Sequence, residues 1–173
     1  GMGNRGDAIL QFDACVGKIL ETLERLELTD NTLVILTSDN GPVVDDGYQD
    51  QSVELLGNHK PAGPLRGGKY SAFDAGTRVP FIVSWQGNMK PGTSDGLFSQ
   101  IDLFASLAAF AGQKVPAGGS PDGMNELHTL MGKSDKDREY VIEHSVYGTL
   151  SIIKDEWKYI EPSNGPRMNA NTN

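Results

Sequence analysis

Asp39 and Asn40 stand side by side just after a short apolar run that ends at Thr37. A carboxylate and an amide carbonyl are hard oxygen ligands of the kind that calcium and magnesium prefer. At the carboxyl end of a strand in an open α/β sheet, such a pair lies where these folds bind ligands. The surrounding Ser-Asp-Asn-Gly sequence is also typical of a tight turn. The pair therefore indicates either a divalent cation site or a turn without a ligand.

A second segment with possible chemistry runs from Arg66 through Gly67 and Gly68 to Lys69. Adjacent glycines let a backbone approach a ligand closely, and a lysine ammonium is a compact charge suited to an anion. The alternative is an ordinary solvated loop. Lys69 is therefore a candidate contact for an anionic substrate.

The composition restricts the partners that these groups could meet. The 173 residues carry a formal net charge of −8, so the field of the molecule repels nucleic acid. No apolar run approaches the roughly 20 residues that cross a bilayer. We expect neither a nucleic-acid partner nor a membrane partner, and an anionic ligand must be held by local positive charge or by a bound cation.

The elements that position the candidate residues are a helix, a strand and a long loop. Apolar residues recur at steps of three and four over residues 7–28, which predicts an amphipathic helix. The apolar, β-branched run 32–37 favours a strand covered on both faces, as in a parallel α/β sheet. Residues 41–68 lack periodicity and are rich in Gly, Pro, Asp and Asn. So long a loop points to a site, because structureless loops of this length are uncommon in compact domains.

The rest of the chain predicts a second strand at 79–85 and a helix at 99–111 that begins with capping-box spacing between Ser99 and Asp102. A short helix near 124–131 follows a Gly- and Pro-rich linker, and an antiparallel meander follows the helix. We expect three regions: an α/β core with the site loops at 1–112, a linker with a short helix at 113–139, and a small antiparallel subdomain with a frayed tail at 140–173.

In this order, these segments resemble the sulfatase family of the alkaline-phosphatase superfamily. The resemblance covers nearly the whole chain and is carried by residues 13–17, 31–41, 65–69, 74–83, 99–103 and 157–160. It implies an α/β fold, with part of an alkaline-phosphatase-like layered sheet, flanking helices and a small C-terminal antiparallel sheet.

The resemblance also implies a role for each candidate residue. In sulfatases the Asp-Asn pair helps bind a divalent cation, usually calcium, which makes Asp39 and Asn40 metal ligands here, with magnesium possible. The lysine of the Gly-Gly-Lys segment touches the sulfate, which gives Lys69 a catalytic and substrate-binding role. A cation and a lysine suit this chemistry, because they neutralise the oxygens of a sulfuryl group. His59, in the long loop, is either a lining residue of the substrate pocket or an exposed loop histidine.

Other parts of a sulfatase site have no counterpart in this sequence. The family's nucleophile is a formylglycine made from Cys or Ser within a C/S-x-P-x-R motif, and Cys15 is followed by Val16-Gly17-Lys18 instead. We therefore expect a C-terminal fragment, inactive alone, whose parent supplies the formylglycine and further metal ligands from an N-terminal part. Asp45 and Asp46 lie in an unpatterned loop and are interpreted as solvated.

The expected substrate is a sulfated small molecule or glycan, either an aryl or a carbohydrate sulfate ester. One alternative is a phosphoesterase or phosphonate hydrolase of the same superfamily, because the metal cradle is shared. Another is a non-catalytic binding module that retains the fold. Apolar surface and a sheet edge that the rest of the protein would cover favour self-association of the fragment. The resemblance suggests a periplasmic or secreted location, which the residues themselves do not encode.

Overall fold

The structure, a computed structural model, describes residues 3–134 and 138–163. These residues form two compact units, one comprising residues 3–86, 144–150 and 160–163, the other residues 87–134, 138–143 and 151–159. The described helices include none with the length and apolar character needed to span a membrane. The helices and strands, in chain order, are α1 (Gly3–Arg25), β1 (Val34–Thr37), α2 (Asp74–Thr77), β2 (Phe81–Ser84), α3 (Asp102–Phe110), α4 (Leu127–Leu130), β3 (Val141–His144), β4 (Leu150–Lys154) and β5 (Trp157–Ile160).

Helix α1 confirms the amphipathic helix predicted from the apolar periodicity, although it begins at Gly3 and ends at Arg25. Arg25, in its last turn, places a positive charge at the negative end of the helix dipole. None of its residues is buried, and Ile9 and Phe12 are more than half exposed. The described residues therefore leave the apolar face of α1 uncovered.

Strands β1 and β2 pair antiparallel, with Val34 opposite Ser84 and Thr37 opposite Phe81. The expectation of a parallel sheet covered on both faces is wrong for this pair. All of β1 is half-buried, and β2 alternates between half-buried and exposed residues, with Ile82 57% exposed. An apolar β-branched run fits either strand direction, because its residues favour a pleated surface and do not specify the partner. The layered α/β architecture itself is confirmed.

The predicted long loop is confirmed, because residues 38–73 contain turns and no helix or strand. Much of the buried apolar surface of the first unit lies here and in α2, at Val44, Ala72 and Ala75. Gly41 and Gly68 are also buried. The loop is therefore packed near its two ends, whereas most of its residues between 47 and 66 are exposed.

Asp102, the first residue of helix α3, is fully buried and forms hydrogen bonds to other segments of the second unit. One carboxylate oxygen accepts the N–H of Ser99 at 2.9 Å, which is one of the two bonds of the predicted capping box, although the helix begins at Asp102 and not at Ser99. The other accepts the N–H of Met124 and the Arg138 guanidinium, each at 2.8 Å. The Arg138 side chain is only 6% exposed, so this is a buried ion pair. Gly112, at φ +68°, follows the helix as predicted.

The strand order β3-β4-β5 confirms the predicted meander. A two-residue connection joins β4 to β5, as expected of antiparallel neighbours. Glu143 accepts from Lys158 at 2.7 Å and from the Ser151 hydroxyl at 3.1 Å, which ties one strand to the other two. The frayed tail expected near residue 173 lies outside the described residues. The three-region division at 112 and 139 stays a prediction.

Candidate functional site

The chain turns immediately after β1. The Asp39 carboxylate accepts the backbone N–H of Asn40 at 2.9 Å, and the Ser38 hydroxyl donates to the Asn40 carbonyl at 2.9 Å. The Asn40 side-chain NH₂ donates to the Gly41 carbonyl at 2.9 Å. The segment therefore forms the tight turn that its sequence predicts, with Asp39 exposed and Asn40 half-buried.

The same turn offers oxygen ligands of the type that calcium accepts. Since the Asn40 NH₂ is used locally, the amide oxygen is the atom left to meet a further partner. Asp39 adds an exposed carboxylate beside it. Among residues 3–134 and 138–163, no three His, Cys, Asp or Glu side chains are grouped closely enough to hold a metal ion. The donors therefore suit calcium in type, and additional ligands are needed to reach the six to eight that it prefers.

Two backbone hydrogen bonds join this turn to segments about thirty residues further along the chain. The Gly41 N–H donates to the Gly76 carbonyl at 2.9 Å, and the Pro42 carbonyl accepts the Lys69 N–H at 2.9 Å. A Cβ atom at position 41 would lie 2.6 Å from the carbonyl carbon of Ala75 and closer still to its oxygen. Only glycine permits this approach. The residues predicted to bind a metal and the lysine predicted to bind sulfate are thus fixed near one another through the backbone.

Gly67 and Gly76, on either side of the segment that follows Lys69, lie in close contact with other parts of the chain. Gly67 has φ +87°, and a Cβ there would lie 2.8 Å from the Cβ of Phe73. Gly76 has similar restrictions, because its Cβ would meet the Gly68 carbonyl oxygen at 2.5 Å. These glycines bring backbone against the protein's own side chains and carbonyls. They shape the loop that carries Lys69, and the approach of a ligand to Gly67 and Gly68 stays a prediction.

The Lys69 side chain is half-buried and its ammonium donates to Asp46 Oδ2 at 3.2 Å. It also lies over the Tyr70 ring, 4.9 Å from the centroid. The Tyr70 hydroxyl donates to the other oxygen of Asp46. The Tyr70 phenol and then the Asp46 carboxylate raise the pKa of Lys69 above its ordinary 10.5, so this lysine is a cation throughout the neutral range.

Asp46 is the residue that sequence reasoning missed. Its interpretation as solvated is wrong, because its carboxylate accepts from both Tyr70 and Lys69. The same two bonds, that from Tyr70 first, lower the pKa of Asp46. The partners are 23 and 24 residues away, and no local pattern in an irregular loop reports a contact of that range.

His59 is exposed, and its backbone N–H donates to the Leu56 carbonyl at 3.1 Å. Its imidazole takes part in none of the side-chain hydrogen bonds or ion pairs found for residues 3–134 and 138–163. The structure thus joins the Lys69 backbone to Pro42, two residues after Asn40, and leaves the pocket-lining role of His59 a prediction.

Comparison with known proteins adds independent evidence. A family model described as Sulfatase matches residues 1–113. The chain is 56% identical over 168 residues to an N-acetylgalactosamine-6-O-sulfatase of Bacteroides thetaiotaomicron, covering 97% of this chain and 33% of that protein. It is 33% identical to bovine arylsulfatase A, covering 91% of this chain and 30% of the relative. It is 38% identical to human N-acetylgalactosamine-6-sulfatase, and this match covers 79% of this chain and 25% of the human protein.

A solved structure also resembles this one, with a TM-score of 0.92 and 55% sequence identity. The match covers 98% of this chain and 35% of the chain in the solved structure. The solved structure is described under the metabolism of multiple glycosaminoglycans by Bacteroides thetaiotaomicron. The chain therefore spans about a third or less of the length of the curated relatives it matches.

Proposed function

The chain belongs to the sulfatase family, and we propose that the whole protein of which it forms a part hydrolyses carbohydrate sulfate esters, with 6-O-sulfated N-acetylgalactosamine as the substrate class. The relative that is 56% identical is an N-acetylgalactosamine-6-O-sulfatase. A human relative that is 38% identical is named N-acetylgalactosamine-6-sulfatase, which gives the same sugar and the same sulfate position. These names favour a sugar sulfate over the aryl sulfate suggested by the more distant arylsulfatase A.

The hydrogen bond from the Lys69 N–H to the Pro42 carbonyl is the observation that carries this proposal. It holds the backbone of Lys69 against the segment that follows a turn bearing a carboxylate and an amide oxygen. Cleavage of a sulfate ester redistributes negative charge over the sulfuryl oxygens and the leaving oxygen. A preorganised cation is worth more than mobile solvent at this step, because it needs no reorganisation. In a chain of net charge −8, such local positive charge is required to hold an anion.

Asp39 and Asn40 would hold the divalent cation, calcium or alternatively magnesium. Bound there, the cation would act as a Lewis acid that neutralises sulfate oxygens. Lys69 would contact the sulfate from the neighbouring loop. The remaining metal ligands and the formylglycine nucleophile would come from the part of the protein that this chain does not include.

The substrate class is tested with the purified full-length protein. We would measure sulfate release from 6-sulfated N-acetylgalactosamine, its 4-sulfated isomer, a chromogenic aryl sulfate and an aryl phosphate. We expect the highest kcat/KM for the 6-sulfate. A preference for the 4-sulfate or the aryl sulfate would leave a sulfatase of different specificity, and a preference for the phosphate would support a phosphoesterase. Binding of the sulfated sugar without turnover would support a binding module.

The role of Lys69 is tested by replacement in the same full-length protein. Lys69→Ala should lower kcat/KM about a hundredfold, because one charged contact to the transition state is lost. Lys69→Arg should not restore full activity, since a planar guanidinium has a different reach from an ammonium. Lys114→Ala is the matched control, because Lys114 is an exposed lysine in the other unit. Near-wild-type activity of Lys69→Ala would refute the assignment.

The metal proposal is tested by calorimetric titration of calcium. The chain alone should bind calcium no more tightly than about millimolar, because Asp39 and Asn40 cannot supply six to eight ligands. In the full-length protein, Asp39→Asn should weaken calcium binding, whereas the exposed loop carboxylate Asp95 should tolerate the same change. Micromolar affinity in the isolated chain, or unchanged affinity in Asp39→Asn, would contradict the proposal.

A further inference from the structure

We propose that Asp46 is a positioning residue for the sulfatase reaction, which acts with Tyr70 to aim the Lys69 ammonium at the sulfate group. The inference rests on the proposed role of Lys69. It assigns a function to a side chain of the long loop whose residue type and sequence position gave no such indication.

The Asp46 carboxylate bridges two consecutive residues. Oδ2 accepts from the Lys69 ammonium at 3.2 Å, and Oδ1 accepts from the Tyr70 hydroxyl. The Lys69 side chain is 28% exposed and that of Asp46 18%, so the pair is partly shielded from water. A lysine side chain is a flexible four-carbon stem, and its charge is poorly placed unless something restrains it. Asp46 supplies that restraint from a different segment of the loop.

The backbone next to Lys69 gives independent support. Tyr70 has φ +78°, a left-handed conformation that residues with a Cβ seldom adopt. Its carbonyl accepts the Val146 N–H at 3.1 Å, while its hydroxyl is held by Asp46. Such outliers persist where the surroundings over-determine them, and they concentrate at functional sites. Tyr70 is therefore held through both its backbone carbonyl and its side-chain hydroxyl, and this fixes the turn that directs the Lys69 side chain.

The charges are consistent with positioning and not with direct sulfate binding by Asp46. The groups that act on this pair are the Tyr70 phenol and, at longer range, the positive charge of Arg5 near Asp46. A carboxylate beside an anion site opposes the anion, so Asp46 is a poor direct contact for sulfate. Its benefit must come through the orientation of Lys69. Removal of its negative charge should then lower kcat without a matching rise in KM.

The test is a double-mutant cycle in the full-length protein, assayed with 6-sulfated N-acetylgalactosamine. Asp46→Asn should reduce kcat/KM about tenfold when Lys69 is present. In the Lys69→Ala background the same change should have an effect of less than about twofold, because the residue through which it acts is gone. Tyr70→Phe should show the same non-additivity with a smaller loss.

Asp50→Asn is the matched control. Asp50 is also a loop carboxylate paired with a cation, since it accepts from Arg5 at 2.6 Å, but it makes no bond to Lys69 or Tyr70. It should leave kcat near the wild-type value, and any loss should be additive with Lys69→Ala. If Asp46→Asn does not fold, Tyr70→Phe supports the same cycle.

The outcomes separate this inference from the proposed function. Additive losses for Asp46→Asn and Lys69→Ala would overturn the positioning role while leaving Lys69 in the site. Near-wild-type activity of Lys69→Ala would refute the role of Lys69, and the positioning role with it. A loss confined to KM in Asp46→Asn would overturn positioning as well, because it would mark Asp46 as a binding contact.

Discussion

Gly41→Ala is the substitution for which the structure makes the strongest prediction. The added Cβ would lie 2.6 Å from the Ala75 carbonyl carbon, whereas ordinary contacts of a Cβ begin at 3.4 Å. The obstacle is backbone, which cannot rotate away as a flexible side chain can. The carbonyl oxygen of Ala75 would lie closer still, so the two segments must move apart. That movement breaks the Gly41–Gly76 hydrogen bond, which is 2.9 Å long.

The expected loss in the free energy of unfolding is about 2 to 4 kcal/mol. Overpacking of this kind costs about 1 to 3 kcal/mol, and a lost backbone hydrogen bond adds about 1 kcal/mol. Gly17→Ala is the matched control, because Gly17 lies inside α1 and its added Cβ would meet no atom within 4 Å apart from the backbone of its own helix. There the substitution should stabilise by up to about 1 kcal/mol, since alanine has the higher helix propensity.

Urea unfolding of the 173-residue chain, followed by circular dichroism, compares the two variants at constant m-value. In the full-length protein, Gly41→Ala should also weaken calcium binding, because it displaces the turn that carries Asp39 and Asn40. Equal stability of the wild type and Gly41→Ala would show that the close approach is not required. If the free energy of unfolding changes by the same amount and in the same direction in both variants, the conformational entropy of glycine is the only effect.

Three further predictions use the same purified chain. Asp102→Ala should cost about 3 to 5 kcal/mol, because it leaves the Arg138 guanidinium buried without its counter-ion; a loss below about 1 kcal/mol in urea would contradict this. The Arg5 hydrogen bond lowers the pKa of Asp50 from 3.8 to about 2, so its contribution to stability is complete above pH 3.8 and disappears as the pH falls through about 2. Asp50→Asn should remove that part of the acid dependence, and an unchanged profile would speak against the pair. Light scattering should reveal self-association, since α1 buries none of its residues; a monomer at every concentration would disprove it.

Elements whose signal is local were predictable from the sequence. The three- and four-residue apolar steps gave α1, and three β-rich segments separated by short turns gave the terminal meander. The direction of β1 against β2 was not predictable, because their pairing joins residues 34–37 to 81–84 across an irregular loop. An apolar run of four residues contains no information about which strand it will pair with, or in which direction. The parallel expectation failed for that reason.

The residues of the candidate site also differ in whether a local sequence signal identifies them. Asp39, Asn40 and Lys69 were identified because each lies in a short motif with its own chemistry. Asp46 has no such motif, and its contacts with Lys69 and Tyr70 depend on the path of the intervening loop. That path is determined by several close backbone approaches at glycines, which a sequence pattern does not reveal. A partner 23 residues away becomes visible only once those approaches are known.

The glycines also explain how a loop without regular structure can support a site. Catalytic groups must be held within a fraction of an ångström, a precision usually associated with helices and strands. Here Gly41 and Gly76 bring backbone directly against backbone, and the bond from Lys69 N–H to the Pro42 carbonyl joins the two predicted halves of the site. A contact between backbones has no side-chain rotamers to relax, so it transmits a displacement in full. The loop should therefore tolerate changes at its exposed positions and fail at these glycines, which is the opposite of what its irregular sequence suggests.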